Sequence, residues 1–403
     1  MKTRTVLLLG CFLLTFGLYA ITAGESFGHP SRTPYFIDLA DAFLHGRLDI
    51  TEPSTWGYDL IWYREHWYVA QPPLPALLLM PWVALEGRQG VSDITAGIIL
   101  GALSATLGCA ALAAWTPGID RKRLVCLTAC FAFGTVHYYL SVMGTVWFLG
   151  QVTAAVFAWG LLLMLWQKRL FWAGVMAGIL VLGRPSVLPG AVILGLGWIA
   201  LCERHNQNRR GQAVVFLTPV VVGCLLLGLY NWRRFGNLLD MGYAAINEAP
   251  DIKERFLAHG NFSLAFLPEN VFIATIRPPQ FHAECTASDC GLLQPDPLGT
   301  GLLWTSPILL YSLLACYDAG EEGRQNRLLA LATGCVLLPS LLYHNTGSAQ
   351  FGYRFALDAL PFWFILVARA ARRRRFLPLA ALVGWCILIN AWGTQWFMHF
   401  LNP

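Results

Sequence analysis

Three aspartates and three arginines carry most of the chemistry this sequence offers. In YFIDLADAFLHGRLD, Asp38 and Asp41 stand three residues apart and so share one helical face, while Phe36, Leu39, Phe43 and Leu44 supply an apolar one. Such carboxylates serve either as a general base that deprotonates an acceptor hydroxyl or as ligands that hold a divalent cation, Mg or Mn, against a phosphate. A solvated polar face on an interfacial helix is the plain alternative. Asp59 follows in WGYDLIWYREHWYV, among aromatics that either stack on sugar rings or anchor in the headgroup layer.

The arginines suit an anion. Arg184, in VLGRPSVLP, falls at a turn between two apolar helices, where an ionisable group near membrane depth needs a partner or an anionic ligand. Arg354 and Asp358, in QFGYRFALDALPF, are four apart, a spacing for either an internal ion pair or a phosphate-facing arginine. Arg233, in NWRRFGNLLDMGY, follows a long apolar run at a depth that suits a lipid-linked phosphate or an ordinary headgroup. The nine histidines form no metal-triad spacing, and no phosphate-binding glycine loop occurs.

The elements that must position these groups are membrane helices. Of 403 residues 56% are hydrophobic and 13% charged, about half the charged share of an ordinary soluble domain. The chain therefore reads as an all-α polytopic membrane protein. Lys2 and Arg4 precede an apolar run over 5–23 that reads as an uncleaved first helix. Further spans are expected at 94–115, 124–142, 146–166, 169–183, 186–203, 211–230, 299–316, 327–343, 356–370 and 376–394, about eleven in all. The proline-rich run QPPLPALLLMPWVAL, 71–85, reads as a juxtamembrane helix, because proline removes backbone donors that lipid cannot replace.

Most of the 28 basic residues fall in alternate connections, including Arg121 to Arg123, Lys168 with Arg169, and Arg372 to Arg375. Positive charge stays on the cytoplasmic side, so the N-terminus is expected there. The net charge of +5 is thereby explained without a nucleic-acid partner. The organisation is an N-terminal transmembrane module over 1–230 containing a first external loop at 24–93, a second external loop at 231–298, and C-terminal transmembrane helices over 299–403. Loops of that length house function rather than merely connect. Of eleven cysteines, nine lie in or beside apolar helices; Cys285 and Cys290, in the second loop, are expected to close a disulfide, with metal binding the weaker option.

This arrangement resembles the GT-C superfamily of membrane glycosyltransferases, in the branch of lipid A aminoarabinose transferase and the protein mannosyltransferases. The resemblance is carried by YFIDLADAFLHGRLDI, WYREHWYVAQPPLPALLLMPWVAL, GRPS, NWRRFGNLLDMGY and GYRFALDALPF. It implies a bacterial inner-membrane location and transfer of a sugar, with inversion, from a polyprenyl-phosphate donor to a glycan, lipid or protein acceptor on the external side. Two departures stand out: Ser31, in SRTPY, occupies the place of the branch's catalytic acid, and Gln151 that of a second acidic residue. The expected assignment is therefore Asp41 as base with Asp59 supporting and Asp38 in reserve, and Arg354, Arg184 and Arg233 on phosphate. The rivals are a flippase for a lipid-linked intermediate and a non-catalytic scaffold of the same fold.

Overall fold

A computed structural model describes residues 2–51, 53, 57–202, 208–281 and 293–401. Cys285 and Cys290, with their expected disulfide, lie outside the described residues.

The first half contains α1 (Lys2–Ala23), α2 (Tyr35–Leu44), the hairpin β1 (Leu60–Tyr63) and β2 (His66–Val69), α3 (Leu74–Glu86), α4 (Asp93–Trp115), α5 (Arg121–Phe133), α6 (His137–Met143), α7 (Val146–Trp166), α8 (Leu170–Gly183) and α9 (Leu188–Cys202). The second contains α10 (Arg209–Phe235), α11 (Pro250–His259), α12 (Leu267–Thr275), the two-residue strands β3 (Gln280–Phe281) and β4 (Leu293–Gln294), α13 (Leu302–Thr305), α14 (Tyr311–Cys316), α15 (Gly320–Leu341), α16 (Leu360–Ala371) and α17 (Phe376–Leu401).

Helices occur where hydropathy places them, but among the described residues fewer than eleven of them are long and apolar enough to span. Among the described residues five helices are long and apolar enough to cross a membrane: Thr5–Ser26, Asp93–Trp115, Val146–Trp166, Arg209–Phe235 and Phe376–His399. Counting α5 and α6 as one span bent by 53° makes six. The other expected spans are cut short. Helix α8 has 14 residues, about 21 Å, and ends at Arg184 and Pro185. The segment over 299–316 is broken by a 3₁₀ turn at Pro307–Leu310. Helix α16 keeps only 12 residues because Arg354–Asp358 winds as 3₁₀ before it. Helix α15 has 22 residues but carries Glu321, Glu322, Arg324 and Arg327 in its opening turns. As the prolines imply, α3 is a 13-residue helix too short to span.

The bundle packs α1 on α4, α4 on α7, α7 on α8, α8 on α10 and α9 on α15. The α8–α10 seam is made by small residues: a Cβ added at Gly174, Gly178 or Gly223 would overlap the facing helix's backbone. One continuous apolar core runs through the bundle around Trp115, Trp159 and Phe131, and a second lies under α2 and α3.

The bundle has two unlike ends. At one, Arg123 Nη2 donates to Arg374 O at 2.6 Å, Arg372 Nη1 to Pro117 O at 2.6 Å, and Arg372 pairs with Glu322 at 2.8 Å. Three of the expected basic connections therefore meet. The opposite end gathers the first loop, the N-termini of α4, α7 and α9 and the C-termini of α8, α10 and α15.

Candidate active site

That second end encloses a cavity of about 1390 Å³. Its walls come from the first loop, the start of α7, the break between α8 and α9, the loop after α10, and the connection from α15 to α16.

Asp59 enters the wall from a tight turn. Its φ is +60°, in the left-handed region that aspartate tolerates better than most residues and that clusters at functional sites. The second loop holds this turn in place. Asp59 N–H donates to Asn247 O at 2.9 Å, Asn247 N–H to Leu60 O at 2.9 Å, and Asn247 Nδ2 to Gly57 O at 3.0 Å. An antiparallel bridge between Ile61 and Ile246 extends the seam. From α7, Trp147 Nε1 donates to Asp59 Oδ2 at 2.6 Å. Burial raises the Asp59 carboxyl above its ordinary range. The Trp147 hydrogen bond and the Arg354 charge pull it down, while the negative charge of Glu248 pushes it up.

The same seam delivers Glu248 to the cavity. Its side chain is 3% exposed, and its Oε1 lies 3.1 Å from His344 Nε2. His344 is in turn placed by its N–H to Asn261 O at 3.0 Å and by Arg255 Nε on its carbonyl at 2.8 Å.

Two arginines face the cavity with different partners. Arg184 closes on Asp358, with Nη2 to Oδ2 at 2.6 Å and Nε to Oδ2 at 3.1 Å. Arg354 is 7% exposed, and among the described residues no carboxylate pairs with it. Its Nε donates to Gly347 O at 2.9 Å, its own N–H goes to Gln350 Oε1 at 2.9 Å, and Gln151 Nε2 holds its carbonyl at 2.9 Å. The guanidinium lies 4.8 Å from the Phe355 ring centroid and 5.8 Å from that of Phe148. A buried cation clamped at its backbone and lacking a carboxylate is built to take an anion.

The residues singled out in the sequence therefore separate. Asp59, Arg184 and Arg354 line the cavity together; Asp38, Asp41 and Arg233 do not. Asp38 turns its carboxylate, 2% exposed, onto Arg88 Nε at 2.8 Å, because its face of α2 packs down toward the turn after α3. An acidic stripe over the membrane surface is therefore not what α2 presents, and Asp38 with Asp41 offers no paired carboxylate to a cation. Asp41 lies beside His45, 3.6 Å away and 29% exposed. Arg233 is exposed on the outer side of α10, whereas its neighbour Arg234 is buried against Tyr230 and Val69 O. Asp358 is the partner of Arg184, not of Arg354 four residues away. Among the described residues no cluster of three or more His, Cys, Asp or Glu gathers as a metal site.

Ser31 lines the cavity and donates through Oγ to Asp93 Oδ2 at 2.6 Å. His137 lies inside the bundle, 3.0 Å from the Tyr19 hydroxyl. Glu248, Trp147 and Gln350 were not legible as site residues: Glu248 lies in a polar irregular loop, and Trp147 reads as one more aromatic at a helix end.

No family model and no curated protein matches the chain. Among solved structures it is similar to the archaeal oligosaccharyltransferase AglB from Archaeoglobus fulgidus in complex with an inhibitory peptide and a dolichol-phosphate, at 14% identity and a TM-score of 0.44 over 96% of this chain and 55% of that one. The apo form of the Archaeoglobus fulgidus oligosaccharyltransferase gives 14% identity and a TM-score of 0.44 over 97% and 55%. The chain thus spans about half the length of these structures.

Proposed function

We propose that this protein is a membrane glycosyltransferase that moves a sugar from a polyprenyl-phosphate donor to an acceptor hydroxyl, with inversion, in the cavity around Asp59 and Arg354. The observation that carries this reading is the presence, in one cavity, of a carboxylate raised by burial and a buried arginine with no carboxylate partner among the described residues.

Asp59 takes the proton of the acceptor hydroxyl as that oxygen attacks the anomeric carbon from the face opposite the phosphate. A carboxylate whose pKa is raised by burial is a stronger base than an ordinary aspartate. The bond from the anomeric carbon to the phosphate oxygen breaks, and the electron pair leaves with the polyprenyl phosphate. Arg354 stabilises that growing negative charge in a low-dielectric site where a fixed cation counts for far more than in water. Arg184, already neutralised by Asp358, contributes hydrogen bonds more than net charge.

The basic end of the bundle then faces the cytoplasm, with the cavity on the external side of a bacterial inner membrane. The acceptor, a glycan, lipid or protein, approaches from the loops. The donor's lipid lies in the bilayer.

The test is transfer of radiolabelled sugar from a panel of polyprenyl-phosphate sugars by purified protein in lipid, comparing wild type with Asp59→Asn and Asp41→Asn. Transfer that disappears in Asp59→Asn and persists in Asp41→Asn supports the assignment. Transfer unchanged in Asp59→Asn refutes the base. Absence of transfer with every donor, alongside donor-lipid movement between leaflets, turns the reading to a flippase.

A further inference from the structure

Outside the cavity, a second concave space of about 490 Å³ opens between the first-loop hairpin and the second loop. Trp62 and Trp67 form one wall, Ile246 and Asn247 the floor, and Lys253 of α11 the far side. The two indoles are a cross-strand pair, with ring centroids 4.7 Å apart and planes inclined at 52°. Trp62 is 49% exposed although the opposite face of the hairpin, through Tyr63 and Tyr68, is seated on Phe235.

We infer that this groove binds the acceptor as a saccharide chain, stacking sugar rings on Trp62 and Trp67; the inference rests on the transferase reading above for the word acceptor, but not for the binding itself. Three observations carry it. The exposed Trp62 indole, backed by the partly buried Trp67, offers a flat, polarisable face that suits the C–H face of a pyranose ring, with an N–H at the edge for a hydroxyl. Asn247 spends its Nδ2 on Gly57 O, which leaves Oδ1 to accept from a sugar hydroxyl, and Lys253, held by Ala244 O at 2.8 Å, is the charged residue of the lining. The ligand this favours is a neutral to acidic glycan.

The third observation is continuity. Ile246 lines both the groove and the large cavity, and Asn247 O receives the N–H of Asp59 at 2.9 Å. The next residue in the chain, Glu248, lies in the cavity wall. A chain seated on the indoles thus lies against the same segment that borders the cavity holding the carboxylate assigned as base.

The experiment is saturation-transfer NMR on protein in lipid nanodiscs with tri- to pentasaccharides of glucose, mannose, galactose, N-acetylglucosamine and galacturonate. Wild type is compared with Trp62→Ala, Trp62→Phe and Asp59→Asn. At least one saccharide is expected to bind, with affinity falling roughly tenfold in Trp62→Ala and largely kept in Trp62→Phe and Asp59→Asn. Trp62 is half exposed, so its loss leaves the hairpin folded, and the Phe variant controls for ring removal. Equal binding in Trp62→Ala overturns the inference. So does binding of no saccharide in the set, which would leave the indoles as headgroup anchors. Saccharide binding without transfer from any donor would keep the groove and sink the transferase reading instead.

Discussion

Trp147 Nε1 donates to Asp59 Oδ2 at 2.6 Å, joining the first turn of α7 to a loop 88 residues earlier in the chain. The bond does two things. It orients one carboxylate oxygen, leaving the other for a proton, and it holds down a pKa that burial alone would lift further.

Replacing Trp147 by Phe should keep the packing and remove the donor. The Asp59 carboxyl then rises, so a larger share is protonated at any pH near its own. Because a base works only when deprotonated, the acid limb of the pH–rate profile is expected to move to higher pH, with the plateau rate little changed. An unmoved limb would assign the base elsewhere.

Asp59→Asn is expected to cost roughly 10²–10⁴-fold in turnover while donor affinity survives. It should also stabilise the fold. The folded carboxyl stands above the unfolded one, so the native state holds its proton more tightly, and its stabilising contribution is full below the unfolded value and lost as pH rises through the folded one. The variant's advantage in melting temperature should therefore be full above the folded value, shrink as pH falls through it, and be gone once the buffer is below the ordinary aspartate range.

Arg354→Ala should weaken donor binding and slow transfer together, by about 10²–10³-fold overall, since the cation acts on a phosphate whose charge grows in the transition state. Arg354→Lys should recover little, because the fork held by Gly347 and stacked near Phe355 is not reproduced by an ammonium. Donor titration and single-turnover rates separate the two effects.

The Arg184 and Asp358 pair spans 174 residues, and the Asp358 side chain is 0% exposed. Arg184→Ala strands that carboxylate and is expected to cost about 3–5 kcal/mol in stability. The double variant Arg184→Leu with Asp358→Leu should recover much of it. Thermal unfolding in nanodiscs reads both, and an additive double variant would mean that the pair is not coupled.

Asp38→Asn should lower stability by breaking the bond to Arg88, with normal turnover in the fraction that folds, while Asp41→Asn should be silent in both assays. A catalytic loss in Asp41→Asn at unchanged stability would return the base to α2.

Some of this was legible in the chain. Hydropathy is a local, additive property, so composition and apolar runs located the helices and identified a membrane protein, and proline content marked α3 as too short to span. Alternating Arg and Lys likewise foretold that the connections at 117–123, 318–327 and 369–375 share one end. The number of full spans was not legible, because hydropathy does not register where Arg184–Pro185 and the Arg354–Asp358 turn interrupt helices to line a cavity. Nor was the choice among three aspartates. Asp38 and Asp41 had the better local pattern, but helical spacing says only that two residues share a face, not what that face meets. Which carboxylate is neutralised by Arg88 and which is raised beside Trp147, Glu248 and Arg354 depends on contacts between residues far apart in sequence, and those exist only once the loops have closed over the bundle.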